Sequence, residues 1–284
     1  MTKQNKFEKR SLWLFFAITY VFSWLFWIPD ALMANGVPMS PAFAEFLSSP
    51  FNPAAFGPLV AALFLTCLEN GIGGVIALLK RGINFHFQKV WLIPIFALLP
   101  LIYGSAALLA QASGWMMLDF TNFSIPVIWP MAFVSILFLG GPLEEEFGWR
   151  GYALDRLQER FNALTSSIVL GIFWALWHLP AAFAHKLMVG PELFWIFTIQ
   201  IVLTSVLFTW IYNNTGKSIF TVLFLHTMNN FTHWLVIPSM KMTLGIGVCS
   251  ILVLAIAVTI ILILWGPKKL VREKQMKTTS PNSG

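Results

Sequence analysis

The sequence predicts an all-α, polytopic membrane protein with about eight transmembrane helices, and three observations support this fold class. Only 11% of the 284 residues are charged and 57% are hydrophobic, whereas a soluble domain has about 25% charged residues. Apolar runs recur along most of the chain, and they reach the roughly 18 to 20 residues that a helix needs to cross the hydrocarbon core of a bilayer. The runs are continuous rather than alternating, which favours helices over the strands of a membrane β-barrel.

The predicted elements follow one another without an internal repeat or a separate soluble domain. A cytoplasmic segment, 1–11, precedes a membrane domain, 12–266, and a disordered polar tail, 267–284, follows it. The first apolar run is too long for the core of a signal peptide and no clear cleavage site follows it, so we expect it to be a span. Residues 70–89 are expected to form a cytoplasmic interfacial helix or loop. The predicted spans are 12–34, 52–69, 90–111, 126–148, 163–184, 192–213, 218–236 and 244–266.

The positive charges predict the orientation of the chain in the membrane. Sixteen of the 18 Lys and Arg residues fall on the side of the two termini, and only Lys186 and Lys241 fall on the other side. By the positive-inside rule, both termini lie in the cytoplasm of a multi-pass protein of the cell membrane. The net charge of +6 is then explained by topology and by contact with anionic lipids, and it does not indicate a nucleic-acid partner.

Ionisable residues interrupt the apolar runs at three places. The stretch GGPLEEEFGWR, 140–150, places three glutamates and an arginine in the fourth predicted span, and His178 and His226 lie in the fifth and the seventh. A charged group at the bilayer centre costs roughly 2.5–3.5 kcal/mol on insertion scales. Ionisable groups kept at this depth indicate a functional site. Cys67 and Cys249, in contrast, lack metal-binding or disulfide spacing.

The ionisable groups are predicted to meet in the inner half of the bilayer. Glu145 and His178 are equally far from the predicted turn at 161–162, which places both about 24 Å from it along antiparallel helices. His226 follows the polar turn 213–217 by about 13 Å, and the depths agree if the preceding hairpin protrudes by about 10 Å. Packing or interfacial roles are expected for the remaining histidines, His86, His185 and His233.

Helical geometry separates the adjacent glutamates. Glu146 and Arg150 are four residues apart and can form an ion pair that neutralises both charges. Glu145 is rotated about 100° from Glu146 around the helix axis and has no such partner in its own helix. Glu145 is therefore the carboxylate predicted to be free for chemistry, while Glu144 is expected to face water or another helix.

The fifth and seventh predicted spans each carry a pair of polar or aromatic residues one turn apart. Trp174 lies one turn before His178, where it would line a pocket and hold the imidazole ring. His226 and Asn230 are also four residues apart, so an imidazole and a carboxamide share one helical face. Together with Glu145, these side chains supply a base, hydrogen-bonding groups and an aromatic wall.

The three spaced groups resemble the motifs of a known family, the CPBP intramembrane proteases. This family, also called Abi, is named for type II CAAX prenyl endopeptidases and bacteriocin-processing enzymes. Its motifs EExxxR, FxxxH and HxxxN are similar to Glu145-Glu146-x-x-x-Arg150, Trp174-x-x-x-His178 and His226-x-x-x-Asn230. The resemblance covers residues 126–236, and Trp174 stands where phenylalanine is usual.

The resemblance implies an intramembrane endopeptidase that hydrolyses a peptide bond. Glu145 would activate the water with help from His178, and His226 and Asn230 would donate hydrogen bonds to the tetrahedral oxyanion. The glutamate–arginine pair described above would support the site or contact the substrate. The expected partners are membrane lipids and a peptide or membrane-anchored protein substrate, and bacteriocin maturation or immunity is the expected use.

Two alternatives remain open from the sequence. Glu145, His178 and His226 form a two-histidine, one-carboxylate set that would suit zinc, but no H-E-x-x-H motif is present and the resemblance favours a metal-free glutamate enzyme without a cofactor. The other alternative is a non-catalytic membrane protein, either a partner-binding family member or a proton-coupled transporter. No repeated halves with broken helices are visible in the sequence, which counts against a transporter.

Overall fold

The computed structural model describes residues 3–49, 53–117, 121–237 and 242–272, with side chains from residue 11 onward. Every regular element in these ranges is helical, so the all-α prediction is confirmed. The α-helices of these ranges are α1 (Lys3–Ala34), α2 (Pro41–Ser48), α3 (Gly57–Lys80), α4 (Leu92–Ala112), α5 (Trp129–Leu139), α6 (Pro142–Gly148), α7 (Asp155–Gln158), α8 (Ala163–Trp177), α9 (Leu179–Phe183), α10 (Phe194–Asn214), α11 (Ile219–Val236) and α12 (Leu244–Trp265).

The helices are long and apolar enough for a multi-pass membrane protein. Among the described residues, six helical segments could each cross a membrane, and one bent pair adds a seventh. The predicted span 218–236 is present as α11, but this helix carries several polar side chains and is not among those six segments. The polytopic membrane fold is thus confirmed, and the predicted number of about eight spans is close to the observed one.

The fourth predicted span, 126–148, is broken rather than straight. A bend of 41° separates α5 from the continuous helical segment that begins with α6. Gly141 has φ +104°, a left-handed conformation that side chains disfavour, and Pro142 suits a first helical position because it lacks an N–H donor. Beyond the predicted end, the segment continues through a π-helical turn, Trp149–Leu154, into α7.

The fifth predicted span, 163–184, also breaks, and the break falls at a predicted site residue. α8 ends at Trp177, and the backbone N–H of His178 donates to the Ala175 carbonyl at 3.0 Å. Pro180 follows in the first turn of α9, where its lack of an N–H is tolerated but a continuous α-helix would be interrupted. His178 therefore lies at a helix junction and not within a continuous span.

One end of the bundle, termed the basic end, is defined by loops that hydrogen-bond to one another. The Ala163 amide donates to the Lys268 carbonyl at 2.9 Å, and Ser218 Oγ donates to the Asn84 carbonyl at 2.7 Å. Arg81, directly after α3, joins the same group of loops by donating to the Lys217 carbonyl at 3.2 Å from Nε and 3.1 Å from Nη2. The basic end comprises the loops 81–89, 158–163, 214–218 and 266–272.

The opposite end, termed the far end, is joined in the same way. Lys186 Nζ donates to the Leu47 carbonyl at 2.9 Å, and Asn35 Nδ2 donates to the Phe183 carbonyl at 2.9 Å. The Met242 amide donates to the carbonyl of residue 188, which connects the start of α12 to the loop after α9. The far end comprises the described loops 35–40, 113–117, 121–128, 184–193 and 242–243.

The structure bears on two further predicted segments. At Gly71, with φ 64° and ψ −168°, α3 is interrupted by a kink, and a second helical stretch follows it to Lys80. A separate helix after the predicted span 52–69 is therefore present, and its interfacial position stays a prediction. In the segment expected to be a disordered tail, Leu270 is buried and its carbonyl accepts a hydrogen bond of 2.6 Å from Asn214 Nδ2. The rest of that predicted tail, 273–284, lies outside the described residues.

The packing of four helices creates the interior in which the polar residues meet. α8 packs on α10, α10 on α11, and α11 on α6, while α3 covers another side of α6. Trp149, Trp174 and Trp177 are among the largest fully buried or nearly fully buried side chains, and aromatic rings of this size contribute much of the apolar area in a core. The three motifs are therefore positioned by helices that contact one another directly.

Candidate active site

The interior between α6, α8, α10 and α11 contains a cavity of about 420 Å³. All four predicted catalytic residues line this cavity, and Trp174 forms part of its wall. The structure thus brings together side chains from three motifs that are far apart in sequence. The four residues are Glu145, His178, His226 and Asn230.

Glu145 holds its carboxylate against the cavity wall in the first turn of α6. Its side chain is 5% exposed, and Trp174 Nε1 donates a hydrogen bond of 2.6 Å to Oε2. Gly141 makes room for the carboxylate, because a Cβ atom at this position would lie 2.5 Å from Glu145 Oε1. Glycine is therefore suited to position 141 for two reasons: it adopts the positive φ angle of the helix break, and its missing side chain leaves space for the Glu145 carboxylate.

Glu146 faces away from the cavity and is fully buried. Its Oε1 atom lies 2.9 Å from Arg150 Nη1 and 2.8 Å from His226 Nδ1. The ion pair predicted from the sequence is thus present, whereas the contact with the imidazole was not predicted. Because a carboxylate only accepts hydrogen bonds, this contact assigns a proton to Nδ1 and leaves Nε2 for other partners.

The rings of Trp174 and Phe208 pack against both the Arg150 guanidinium and the His226 imidazole. The Arg150 guanidinium carbon lies 4.2 Å from the ring centre of Trp174 and 4.5 Å from that of Phe208. The imidazole of His226 meets the same two rings edge-on, at 5.4 and 5.6 Å between centres. The contacts of the Arg150 guanidinium are cation–π contacts, which are strongest where water is excluded. Phe208, in α10, was missed by the sequence analysis because it is one of many apolar residues in its span.

His178 is oriented by its own helix. Its Nδ1 atom lies 2.9 Å from the Trp174 carbonyl, which can only accept, so Nδ1 carries the proton and Nε2 is an acceptor in the neutral ring. The ring packs between Trp177 and Phe197, at 4.6 and 5.2 Å between centres. His178 thus presents a hydrogen-bond acceptor to the cavity that it lines.

Asn230 is fixed by a chain of hydrogen bonds that runs to α4. Its Nδ2 atom donates to the Gly140 carbonyl at 2.8 Å, and its Oδ1 atom accepts from Asn229 Nδ2 at 2.9 Å. Asn229 Oδ1 accepts in turn from the Tyr103 hydroxyl at 3.2 Å. Because the Gly140 carbonyl can only accept, it sets the direction of every bond in this chain. The amide of Asn230 also has a second N–H, on the same nitrogen.

The sequence analysis missed several polar residues of the cavity wall. Tyr103, Thr204 and Asn229 line it, and the Thr204 side chain hydrogen-bonds to Tyr103. His233, expected to have an interfacial or packing role, also lines the cavity, and its ring centre lies 4.0 Å from that of Tyr103. The position of Asn229 next to a motif residue was the one available signal for this group.

The sequence leaves a possible zinc set open, Glu145, His178 and His226. No group of three or more His, Cys, Asp or Glu side chains among the described residues is arranged to hold a metal ion. His226 directs Nδ1 at Glu146, and His178 directs Nδ1 at a backbone carbonyl. Metal-binding histidines make the same kind of contact with the ring nitrogen that does not bind the metal. Metal dependence therefore stays a prediction, and no chemical step below depends on a metal.

Comparison with known proteins adds a second, independent line of information. The family described as type II CAAX prenyl endopeptidase Rce1-like matches residues 126–232, the part of the chain that carries all three motifs. The chain is also 27% identical, over 226 residues, to CAAX prenyl protease 2 of Methanococcus maripaludis, with 76% of this chain and 82% of that protein covered. Residues 126–232 are thus similar to the CPBP family, to which type II CAAX prenyl endopeptidases belong.

These similarities confirm the resemblance inferred from the three motifs. They also support the coarse function, because the family model and the relative are both prenyl endopeptidases or proteases by name. Together with the apolar helices, these similarities support a multi-pass intramembrane endopeptidase.

Proposed function

We propose that the chain is a CPBP protease that cleaves peptide bonds with a water molecule activated by Glu145 and without a metal cofactor. One observation carries the proposal: among the described residues, Glu145 is the single acidic side chain in the cavity wall. Its carboxylate is held there by the Trp174 indole. A buried carboxylate with one donor and no ion-pair partner in contact with it is suited to take up a proton.

The reaction then needs one proton shuttle. Glu145 takes a proton from the water as the water oxygen bonds to the carbonyl carbon of the scissile amide, and the carbonyl oxygen becomes an oxyanion. When the C–N bond breaks, the electron pair goes to nitrogen, and Glu145 returns its proton to the leaving amine. General acid–base catalysis of this kind contributes about 10²–10⁴-fold to a rate.

His178 would position the attacking water. In its neutral form Nε2 accepts a hydrogen bond, because Nδ1 donates to the Trp174 carbonyl. A water that donates one hydrogen to Glu145 can donate the other to His178. With both hydrogens of the water held by fixed acceptors, its lone pairs point at the substrate. The water then loses less orientational freedom on reaching the transition state, which favours attack.

Asn230 and His226 would stabilise the oxyanion. One N–H of the Asn230 amide donates to Gly140, and the second is available to the oxyanion. His226 would donate through Nε2 when both ring nitrogens carry a proton, while the Glu146 carboxylate, 2.8 Å from Nδ1, holds the ring in place. Donors that are already oriented before the charge develops stabilise the transition state more than mobile ones do.

Tyr103 and Asn229 would act as positioning residues for Asn230. The amide of Asn230 could otherwise rotate and present its oxygen to the oxyanion, which would repel it. Asn229 Nδ2 donates to that oxygen, and the Tyr103 hydroxyl keeps Asn229 in the required orientation. Neither residue needs to touch the substrate for this effect.

The substrate class proposed for this chain is a peptide or a protein anchored to the membrane. The relative from Methanococcus maripaludis is named a CAAX prenyl protease, and the cavity of this chain lies inside a bundle of apolar helices. A cavity of this size accepts a short extended segment and not a folded domain. Membrane lipids would surround the bundle and the anchor of the substrate.

Comparison of cleaved termini in cells tests the proposed function. Cells that carry the wild-type chain should produce a set of new N-termini in membrane-associated proteins or peptides that is absent with Glu145→Gln. Glu144→Gln is the matched control, because this buried neighbour is not part of the cavity wall, and it should retain the wild-type set. Identical termini in all three strains would contradict a protease function in these cells, and loss with both variants would contradict the role of Glu145.

A further inference from the structure

The two ends of the bundle differ in charge. Lys80, Arg81, Lys217 and Lys268 lie at the basic end, together with other basic residues of the same loops. In the described loops and helix ends of the far end, Lys186 is the one Lys or Arg side chain, and it pairs with an aspartate of α1. By the positive-inside rule, the basic end faces the cytoplasm.

The cavity is built from the far half of the bundle. Part of its wall comes from the loop Lys186–Val189, and further parts come from Trp234 near the end of α11 and Met242 before α12. Toward the basic end, the fully buried side chains of Arg150 and Phe208 lie behind the catalytic residues. The sequence analysis predicted that the catalytic side chains meet in the cytoplasmic half of the bilayer. The observed cavity extends from these side chains toward the far end of the bundle.

We propose that the active site takes its substrate from the far end, which the charge distribution places outside the cytoplasm. The substrate class is then an exported peptide, or the extracytoplasmic segment of a membrane-anchored protein next to its anchor. This inference rests on the proposed function, since it takes the cavity to be the catalytic site. It also requires that the Lys186–Val189 loop be reachable by water-soluble molecules from that side.

Cysteine labelling in intact cells tests which face reaches the cavity. The starting variant replaces Cys67 and Cys249, the free cysteines, with Ala. Met188→Cys then reports on the cavity wall, and Thr243→Cys reports on the part of the far end that lies outside the cavity wall. Phe161→Cys reports on the basic end, where the Phe161 side chain is 47% exposed. None of these substitutions changes a charge, so the topological signal is preserved. The probe is a membrane-impermeant sulfonated maleimide.

The expected pattern is labelling of Met188→Cys and Thr243→Cys in intact cells, and labelling of Phe161→Cys only after permeabilisation. The reverse pattern would overturn the assigned orientation. Labelling of Thr243→Cys without Met188→Cys, in a variant that is labelled at position 188 after denaturation, would show that the cavity is not reached from the far end. This measurement needs no activity, so each of its outcomes is independent of the proposed function.

The location of the cleaved termini supplies the second test. Termini that depend on Glu145 should fall in extracytoplasmic segments or in peptides recovered from the medium. If they fall in cytoplasmic segments, the proposed substrate class is wrong although the protease function stands. If no terminus depends on Glu145, the proposed function is wrong, while the labelling result still decides which face the cavity opens to.

Discussion

The two sides of α6 give adjacent glutamates opposite environments. On the cavity side, Glu145 meets one neutral donor, the Trp174 indole at 2.6 Å, and the space of the cavity. On the packed side, Glu146 is fully buried and meets both Arg150 and His226. Both carboxylates are removed from bulk water, so the partners that surround them determine their different chemistry.

The comparison shows why an intramembrane site carries more charged residues than its reaction uses. A buried charge is tolerated when it is paired and hydrogen-bonded, and Glu146 and Arg150 form an ion pair of opposite charges within one helix turn. Their pair in turn fixes the Nδ1 side of His226. The packed side thus supports the site, and it leaves the cavity side free to change its protonation during turnover.

The largest effect is expected on the cavity side, from Glu145→Gln. The substitution keeps size and an acceptor for the Trp174 N–H but removes the base. We expect kcat to fall about a thousandfold or more, because base catalysis contributes about 10²–10⁴-fold and the water loses one of its acceptors as well. Cleavage of a membrane-anchored peptide by detergent-solubilised protein measures this. Glu144→Gln should retain most of the activity, and neither variant should lower the melting temperature strongly.

Substitutions on the packed side should mainly lower the stability of the folded protein. Glu146→Gln leaves Arg150 buried without its carboxylate, a change that typically costs about 3–5 kcal/mol. We expect earlier melting and lower expression, with partial activity per folded molecule. Arg150→Gln should have the same phenotype, and the double variant should recover part of the lost stability in a double-mutant cycle.

The same double-mutant cycle can show that the roles of the two glutamates are exchanged. If Glu146→Gln abolishes turnover without changing the melting temperature, while Glu145→Gln remains active, the base is on the packed side. Melting and peptide cleavage are therefore measured on the same preparations of wild type, both single variants and the double variant.

A smaller effect on kcat is expected from Tyr103→Phe. Removing the hydroxyl leaves Asn229 Oδ1 without its donor and weakens the hold of Asn229 on the Asn230 amide, which then keeps only its bond to Gly140. We expect kcat to fall about five- to tenfold, which corresponds to a hydrogen bond of about 1–1.5 kcal/mol. KM should change little, because the oxyanion exists only along the reaction and not in the bound substrate.

Tyr20→Phe is the matched control for Tyr103→Phe. The Tyr20 hydroxyl also donates to a partner inside the bundle, the Phe173 carbonyl at 2.6 Å, but this residue is not in the cavity wall. It should leave kcat unchanged. A rise in KM with unchanged kcat for Tyr103→Phe, or an equal loss in both variants, would contradict the positioning role.

The smallest effect is expected from metal chelation. If the cavity side works with Glu145 and water alone, EDTA or o-phenanthroline should leave the activity of purified protein within a small factor of its starting value. Metal analysis of the same samples provides the second readout. Stoichiometric zinc, with activity lost on chelation and restored by added zinc, would show that the cavity side is a metal site.

Much of this protein was determined by short-range features of the sequence. Apolar runs of membrane-spanning length predict helices regardless of how those helices pack. Spacings of four residues place Glu146 beside Arg150 within one helix, and the structure shows this pair. The sequence also named Glu145, His178, His226 and Asn230 as one group, and all four line the same cavity. Their catalytic roles remain predictions.

Tertiary structure alone decided the contacts between the motifs. Trp174 donates to Glu145 across 29 residues of sequence, Glu146 meets His226 across 80, and Tyr103 reaches Asn229 across 126. The bends before α6 and at the end of α8 also place Glu145 and His178 next to helix breaks, and both residues line the cavity there. Within a helix, rise and rotation per residue are the same everywhere, so spacing is enough to place a pair. Between helices, the meeting atoms depend on the rotation, tilt and bend of each helix, which are set by the packing of all neighbouring side chains together.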